Sequence, residues 1–235
     1  KQPMITVKGK GNFAGTYTQK LTYRITTQDI GRLTLTAVDK TYQNKKNNHA
    51  AKVTVTDLDG KPLQAGIDYE KTFVYTYKNK TTVKTGTAAD SSTAVRAAGE
   101  IVDKNDVIPA GTVLQVKVTT RDGGNYTGTL TGEYRIAQAA ISSAAVSVLK
   151  QTYTGREITP DQSQFTVKIK GKRVPDDQWE IVPGSYKNNV KKGTASVTIR
   201  GVDNYGGTRR VKFTIRAKGF LWKVSVMGND IGCDT

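Results

Sequence analysis

Apolar and polar residues alternate with a period of two along most of this chain. The clearest runs are Ile5-Thr6-Val7-Lys8, Leu114-Gln115-Val116-Lys117-Val118 and Val197-Thr198-Ile199-Arg200. Alternation of this kind marks a strand with one face buried. Each run leads into a cluster of glycine, asparagine and small residues: Gly11-Asn12-Phe13-Ala14-Gly15-Thr16, Gly124-Asn125-Tyr126-Thr127-Gly128-Thr129 and Asp203-Asn204-Tyr205-Gly206-Gly207-Thr208. Each cluster leads in turn to a second run closing on an aromatic residue and an isoleucine: Tyr23-Arg24-Ile25, Tyr134-Arg135-Ile136 and Phe213-Thr214-Ile215. Glycine and asparagine accept positive φ at little cost, so such a cluster between two alternating runs predicts a turn. The recurring unit is a β-hairpin, and the chain reads as an array of modules that each end on one, separate small sandwiches in a row with a core of their own.

The array divides at these endings. Residues 1–26 are the terminal hairpin of a truncated preceding module, with Ile5, Val7, Phe13, Tyr17 and Tyr23 in need of cover. Residues 27–137 form a complete module. It opens on a strand at Arg32–Val38, turns a polar corner at Thr41–Lys45, and makes a hairpin about Asp57-Leu58-Asp59-Gly60. It continues through Asp68-Tyr69 and Phe73–Tyr77. Asp-Gly is a favoured hairpin turn. Residues 138–217 repeat the order more tersely: Ala145–Val148, the corner Thr152–Arg156, the strand and turn Phe165–Lys172, then Trp179-Glu180-Ile181 and Tyr186-Lys187-Asn188. Tyr42 and Tyr153 are as far apart as Gly60 and Gly171.

Two stretches break the correspondence. An insertion at 80–110 separates into a small, polar part (Thr81 to Thr93), which reads as a loop, and a second part (Ala94 to Ala110), which reads as an extra strand or hairpin. Long loops in small sandwiches are more often functional or disordered than structural. The tail at 218–235, with Phe220-Leu221-Trp222-Lys223-Val224-Ser225-Val226, is apolar enough to add a strand. Ala137 to Leu149, rich in Ala and Ser, suits a helix by propensity, but the register of the repeat places the opening strand there.

Composition narrows the classes further. No apolar run approaches the ~20 residues that span a bilayer. The chain opens on Lys1, which predicts a mature or trimmed piece of a longer protein. Its single cysteine, Cys233, supports neither a disulfide framework nor a metal cluster. The net charge is +16. The excess is uneven: residues 1–26 carry five bases and no acids, and residues 138–217 carry fourteen bases against six acids. Such a balance attracts polyanions and also keeps exposed strand edges from pairing with one another.

The order Tyr42, Gly60-Lys61, Tyr69, Tyr77, Asn79, Gly111-Thr112 and Asn125 to Ile136 is matched by a second copy. That copy is Tyr153, Gly171-Lys172, Trp179, Tyr186, Asn188, Gly193-Thr194 and Asn204 to Ile215. The pattern resembles the tandem immunoglobulin-like repeats of Gram-positive (Firmicute) bacterial cell-surface proteins, over nearly the whole chain except the insertion and tail. The resemblance implies an all-β fold of tandem immunoglobulin-like β-sandwiches. It also implies an extracellular place, secreted or at the cell surface, and a stalk, spacer or adhesive role without shared catalytic residues. Adjacent modules of a longer chain are the implied neighbours. Some surface sandwiches carry Lys–Asn cross-links, which a whole-protein mass would reveal.

Candidate chemistry is sparse. His49, the lone histidine, sits in a polar loop without the partners that zinc or a nucleophile needs. Asp57 and Asp59 suggest a calcium loop, but its later ligands and closing Glu are missing. Asp57 and Asp59, or Asp176, Asp177 and Glu180, could supply a glycosidase pair, yet both acidic clusters lie at turns, where Asp is favoured for backbone reasons. Catalytic, cofactor and metal residues are therefore not assigned, and the chain is read as non-enzymatic. Polyanion binding has better material: Lys168, Lys170, Lys172 and Arg173 around one strand, and Arg209, Arg210 and Lys212 on the last. These make one basic face for anionic glycans or cell-wall polymers if their strands share a sheet. Specific nucleic-acid binding is disfavoured because no stacking aromatics interleave with the lysines. Tyrosines that recur between the modules read as packing or corner residues. Tyr75 and Trp222, taken as non-recurring, are the aromatic candidates for a sugar or protein ligand.

Overall fold

A computed structural model describes residues 4–13, 15–22, 24–85, 92–219, 223–226 and 229–232. Among them the fold is all-β. Its helical turns are 3-10 segments of three residues each, at Ile30–Arg32, Ile141–Ser143, Gln162–Gln164 and Asp176–Gln178. No helix among the described residues is long and apolar enough to cross a membrane.

A hairpin of β1 (Met4–Lys8) and β2 (Thr16–Thr22) comes first. Residues 28–137 then carry β3 (Gln28–Asp29), β4 (Thr34–Ala37), β5 (Lys40–Thr41), β6 (Val53–Thr56) and β7 (Val74–Tyr77). They continue with β8 (Thr81–Thr85), β9 (Ser92–Arg96), β10 (Val113–Thr119), β11 (Tyr126–Thr127) and β12 (Thr129–Ala137). Residues 139–216 carry β13 (Ala139–Ala140), β14 (Ala145–Val148), β15 (Gln151–Thr152), β16 (Phe165–Ile169) and β17 (Lys172–Arg173). After these come β18 (Trp179–Ile181), β19 (Gly193–Gly201), β20 (Tyr205–Gly206) and β21 (Thr208–Arg216). A closing hairpin pairs β22 (Lys223–Val226) with β23 (Asn229–Gly232).

Two four-stranded sheets organise this chain. One runs β5-β12-β10-β7 and the other β15-β21-β19-β18. In both, a two-residue edge strand lies parallel to the end of the long last strand, and the other neighbours are antiparallel. The pair β4–β6 covers the first sheet, and β14–β16–β17 covers the second. Alternation explains the choice of faces. Leu114, Val116 and Val118 of β10 are fully enclosed while Lys117 and Thr119 face out. Ala195, Val197 and Ile199 of β19 and Val211, Phe213 and Ile215 of β21 do the same in the second half. Each enclosed Val, Leu, Ile or Phe contributes roughly 1.5–3 kcal/mol relative to its exposed state. Gly132 on β12 is a fitting detail: a Cβ there would stand 2.2 Å from Cδ2 of Leu35, so the missing side chain lets β4 settle onto the sheet. Together these features are consistent with a β-sandwich.

Several expectations are corrected. Thr81 to Thr93 is not simply a loop: Thr81–Thr85 pairs antiparallel with Ser92–Arg96, and residues 86–91 lie outside the described part. The run was missed because Val83 is its one enclosed side chain, the rest being threonine and lysine. Ala137 to Leu149 is extended around a short 3-10 turn, as the register predicted. The tail forms a hairpin with itself, while Phe220, Leu221, Trp222 and Cys233 lie outside the described residues. So do Ala14 and Tyr23 and the side chains of Ile5 and Tyr17, which leaves Val7, 50% exposed, and Phe13, 79% exposed, as the visible part of the face expected to need cover.

Separate small cores were also expected. Instead, buried side chains from Tyr42 to Ile215 form one connected cluster, and a smaller one gathers Ile30, Leu33, Val55, Leu63, Tyr69 and Val118. The two large sheets share no strand, so their continuity is made by side chains where one half meets the other.

Candidate functional site: the joint between the halves

The meeting point is built from a corner and a hairpin. β12 ends at Ala137 and β13 begins at Ala139, so Gln138 alone lies between them. Its side-chain amide donates to the carbonyl of Asp203 at 2.8 Å, which fixes this connection to the hairpin it faces. β13 pairs with β20 in parallel, setting Ala139 opposite Tyr205. Tyr42, just after β5, donates its backbone N–H to Ala137 at 2.8 Å, so the corner is tied to the same strand end. The rings of Tyr42 and Tyr205 then meet edge to face, with centroids 5.5 Å apart at 85°. Such pairs contribute about 0.5–1.5 kcal/mol beyond the area they bury.

Asn204, beside Tyr205, accepts the backbone N–H of Ala110 at 2.8 Å and donates its own side-chain N–H to Gln178 Oε1 at 2.9 Å. The end of the insertion therefore plugs directly into the second half. Burial, then Tyr205 and then Asp177, push the Tyr42 hydroxyl up to about 12, and burial raises that of Tyr205. Both stay neutral at physiological pH. A cleft of about 420 Å³ opens beside the two rings, with Asn44, Lys45, Ser143, Lys170 and Lys172 on its walls.

The predicted basic residues are divided by this arrangement. Lys168 and Arg173 face one another across β16–β17, and Arg173 reaches Asp176 at 3.0 Å. Lys170 is not on the strand: it occupies the following turn with φ 49°, and with Lys172 it lines the joint cleft. Arg209, Arg210 and Lys212 belong to β21, in the other sheet, so one face built from both groups is not formed. Arg209 lies on the same side of β21 as the enclosed Val211 and donates to the carbonyl of Ser142. Arg210 and Lys212 share the outward side, where Arg210 reaches Ser196 Oγ at 3.1 Å.

Tyr75 is not an available ligand platform. It is 9% exposed and packs edge-on to His49, Phe73 and Tyr134. Strand register also shows why it was misread. Tyr75 stands opposite Val116, as Tyr186 neighbours Lys187, which bridges Ser196 beside Val197. Tyr75–Tyr134 and Tyr186–Phe213 are matching edge-to-face pairs, at 6.2 and 6.3 Å. Tyr77, not Tyr75, is the tyrosine peculiar to the first half.

Tyr77 leads to a network that the residue types alone did not reveal. Its hydroxyl donates to Asp106 Oδ2 at 2.9 Å, and Arg96 donates to both oxygens of Asp106, from Nε at 2.9 Å and Nη2 at 2.8 Å. Arg96 also holds Glu100 at 2.9 Å. Burial, with Asp106 second, raises the Tyr77 hydroxyl. Hydrogen bonds to Asp106 and Glu100 hold the Arg96 guanidinium firmly charged. This network staples the insertion to the first sheet just before it delivers Ala110 to the joint.

The remaining candidates have structural surroundings. Asp57 Oδ1 accepts the backbone N–H groups of Asp59 and Lys61 at 3.0 and 2.8 Å, so its carboxylate closes the turn. Glu180 is paired with Arg200. His49 is half-buried, with Nδ1 enclosed and without a hydrogen-bond partner among the described residues. Burial, followed by Lys40, lowers its pKa, against a smaller opposing effect of Asp106. Its carbonyl accepts the Tyr134 hydroxyl. Among the described residues no three His, Cys, Asp or Glu side chains gather as metal ligands, and every described lysine is at least partly exposed. Comparison with protein-family models, with curated proteins and with solved structures returns no match for this chain.

Proposed function

We propose that the chain is a non-enzymatic structural or adhesive segment of an extracellular bacterial protein, built of immunoglobulin-like modules in tandem that space or present something at a cell surface. The observation that carries this reading is the joint. A connection of one residue, a ring-on-ring contact and the Ala110–Asn204 hydrogen bond hold one half against the next. A flexible linker would let the halves diffuse independently. This joint instead gives a stalk a defined direction, while the matching order of the two large sheets supports the repeat.

Rotational diffusion tests the reading. In the native chain, amides of residues 28–137 and 139–216 should report a single correlation time. A Tyr205→Ala/Asn204→Ala variant should split it into two. Independent tumbling in the native chain refutes the spacer reading.

A second reading, binding of anionic glycans or cell-wall polymers, draws on the outward side of β21. There Arg210, Lys212 and Arg216 stand exposed beside threonines of β19 and β21. Salt-dependent retention on heparin, lost in Arg210→Glu/Lys212→Glu, would support it; unchanged retention in that variant would dismiss this face.

A further inference from the structure

At the joint a corner becomes a pocket. Asn44 and Lys45, which follow Tyr42, come from the first half, and Ser143, Ile169, Lys170 and Lys172 from the second; together they border about 420 Å³. The corner of the second half shows what is missing without an opposite wall. Tyr153 follows β15 as Tyr42 follows β5, and its backbone N–H donates to the Arg216 carbonyl at 2.8 Å as that of Tyr42 does to Ala137. Yet Tyr153 is 42% exposed and Tyr42 is 7% exposed. The joint cleft falls within the size of small-molecule sites, about 300–1,000 Å³, which favour interfaces between domains.

Its lining joins an apolar wall to a cluster of cations. Tyr42, Ala139, Ile169 and Tyr205 supply the wall. Lys45, Lys170 and Lys172 are exposed, and among the described residues none of them is in a salt bridge. Lys172 Nζ reaches across the halves to the Asn44 carbonyl at 3.5 Å, a long contact for a group with three protons to donate. Lys170 and Gly171 are the central residues of the turn between β16 and β17, with φ 49° and 79°. A two-residue hairpin turn of this kind needs positive φ at both places, and Asn, Asp or Gly is the ordinary first residue. In the first half Asp59 precedes Gly60, and of that pair only Gly60 has positive φ. Non-glycine residues keep such a conformation where their surroundings require it, and functional sites are where these cases cluster. Ser143 completes the lining: its hydroxyl donates to the Ala140 carbonyl at 2.8 Å and keeps its own oxygen as an acceptor. Asp177, whose charge is felt by Tyr42, does not line the cleft.

We propose that the joint cleft binds a sugar acid, a single pyranose ring carrying a carboxylate, as in a hexuronic acid. The C–H face of the ring covers the apolar wall, the carboxylate lies at the lysine-lined rim, and ring hydroxyls meet Ser143 and Asn44. Like charges gathered in one place repel, and a bound carboxylate relieves that repulsion. An aromatic acid would answer the wall and the lysines but leave Ser143 and Asn44 unmatched. A small inorganic anion would leave the wall uncovered. The site is distinct from the outward side of β21, since Arg210 and Lys212 do not line it. The proposal rests on the joint, because the lining comes from both halves, and not on what the chain spaces or presents.

The test follows amide resonances of residues 41–45, 139–143 and 169–172 as sodium glucuronate is added to the whole chain. Glucose, acetate and benzoate serve as probes that lack the charge, the ring and the hydroxyls in turn. Glucuronate should shift residues of both halves and saturate, with a dissociation constant on the order of 1 mM. Each of the other probes should bind about tenfold more weakly or less. Lys170→Asn/Lys172→Gln should weaken glucuronate by about tenfold or more. Asparagine suits the turn better than lysine, so that variant should not lower the thermal midpoint. Arg210→Glu/Lys212→Glu should bind as the native chain does. Equal binding of glucose, acetate or benzoate overturns the proposal, as does undiminished binding in the Lys170→Asn/Lys172→Gln variant. Shifts confined to β21 and lost in Arg210→Glu/Lys212→Glu move the ligand to that face and overturn it too. Correlation times taken on the same samples separate the failures. No binding by a chain with one correlation time refutes the sugar-acid site alone, whereas two correlation times refute the joint on which both readings depend.

Discussion

Asp106→Asn is the sharpest probe of the insertion. The Asp106 side chain is 0% exposed and accepts three hydrogen bonds, two from Arg96 and one from the Tyr77 hydroxyl. Removing one partner of a buried ion pair costs about 3–5 kcal/mol, because the other charge stays behind without compensation. Arg96 is 20% exposed and keeps Glu100, which places the expected loss at the low end, about 3 kcal/mol. Tyr77→Phe removes one hydrogen bond to a charged acceptor that Arg96 still neutralises, so about 1–2 kcal/mol is expected. Arg96→Met leaves the enclosed carboxylate with Tyr77 alone and should cost more than Tyr77→Phe. The double variant Asp106→Leu/Arg96→Met removes both charges and should be no worse than Arg96→Met alone. Urea unfolding at constant m value measures all four. An Asp106→Asn loss below about 0.5 kcal/mol, the size of an ordinary surface change, would refute the staple.

Three further outcomes are expected. The folded state holds His49 below its ordinary pKa, so the unfolded chain binds the extra proton first. Stability should fall as pH drops through about 6.5, and His49→Gln should flatten that fall in urea midpoints taken between pH 7.5 and 5.5; parallel curves would remove the burial argument. Gly201→Ala would set a Cβ 2.7 and 2.8 Å from the backbone carbonyl atoms of Tyr205. Since backbone cannot rotate away, a loss of at least about 2 kcal/mol should appear in thermal unfolding, with the Tyr42–Tyr205 contact disturbed in NMR spectra. Gly132→Ala should cost about 1–3 kcal/mol through Leu35, and Leu35→Ala should relieve part of it; additive losses would show that the two residues do not meet.

What the sequence disclosed follows from which interactions are local. Hairpins were legible because a strand's alternation and its turn residues are adjacent: Asn204-Tyr205 and the runs on either side of it announce β19, β20 and β21 without knowledge of anything distant. The extended form of Ala139–Val148 was legible only through comparison with the first module, since alanine and serine argue weakly for either state. The Thr-rich β8–β9 hairpin escaped because Val83 is the one enclosed side chain of β8, and the groups that hold its Arg96 in place, Asp106 and through it Tyr77, meet across the fold with no common spacing. Tyr75 was misjudged for a related reason. Matching by nearest motif paired Tyr77 with Tyr186, whereas the constant offset that links Tyr42 to Tyr153 and Gly60 to Gly171 already linked Tyr75 to Tyr186.

The joint shows where recurrence stops being informative. Tyr42 and Tyr153 look equivalent in sequence, and within their own halves they are, each tied by its N–H to the end of the last strand. Their burial differs because a side chain at the end of a sandwich is finished by whatever comes next, which a single module cannot encode. Where Tyr205 and Asn204 arrive, the receiving side is Ala110 and Ala139, small residues that let two backbones approach.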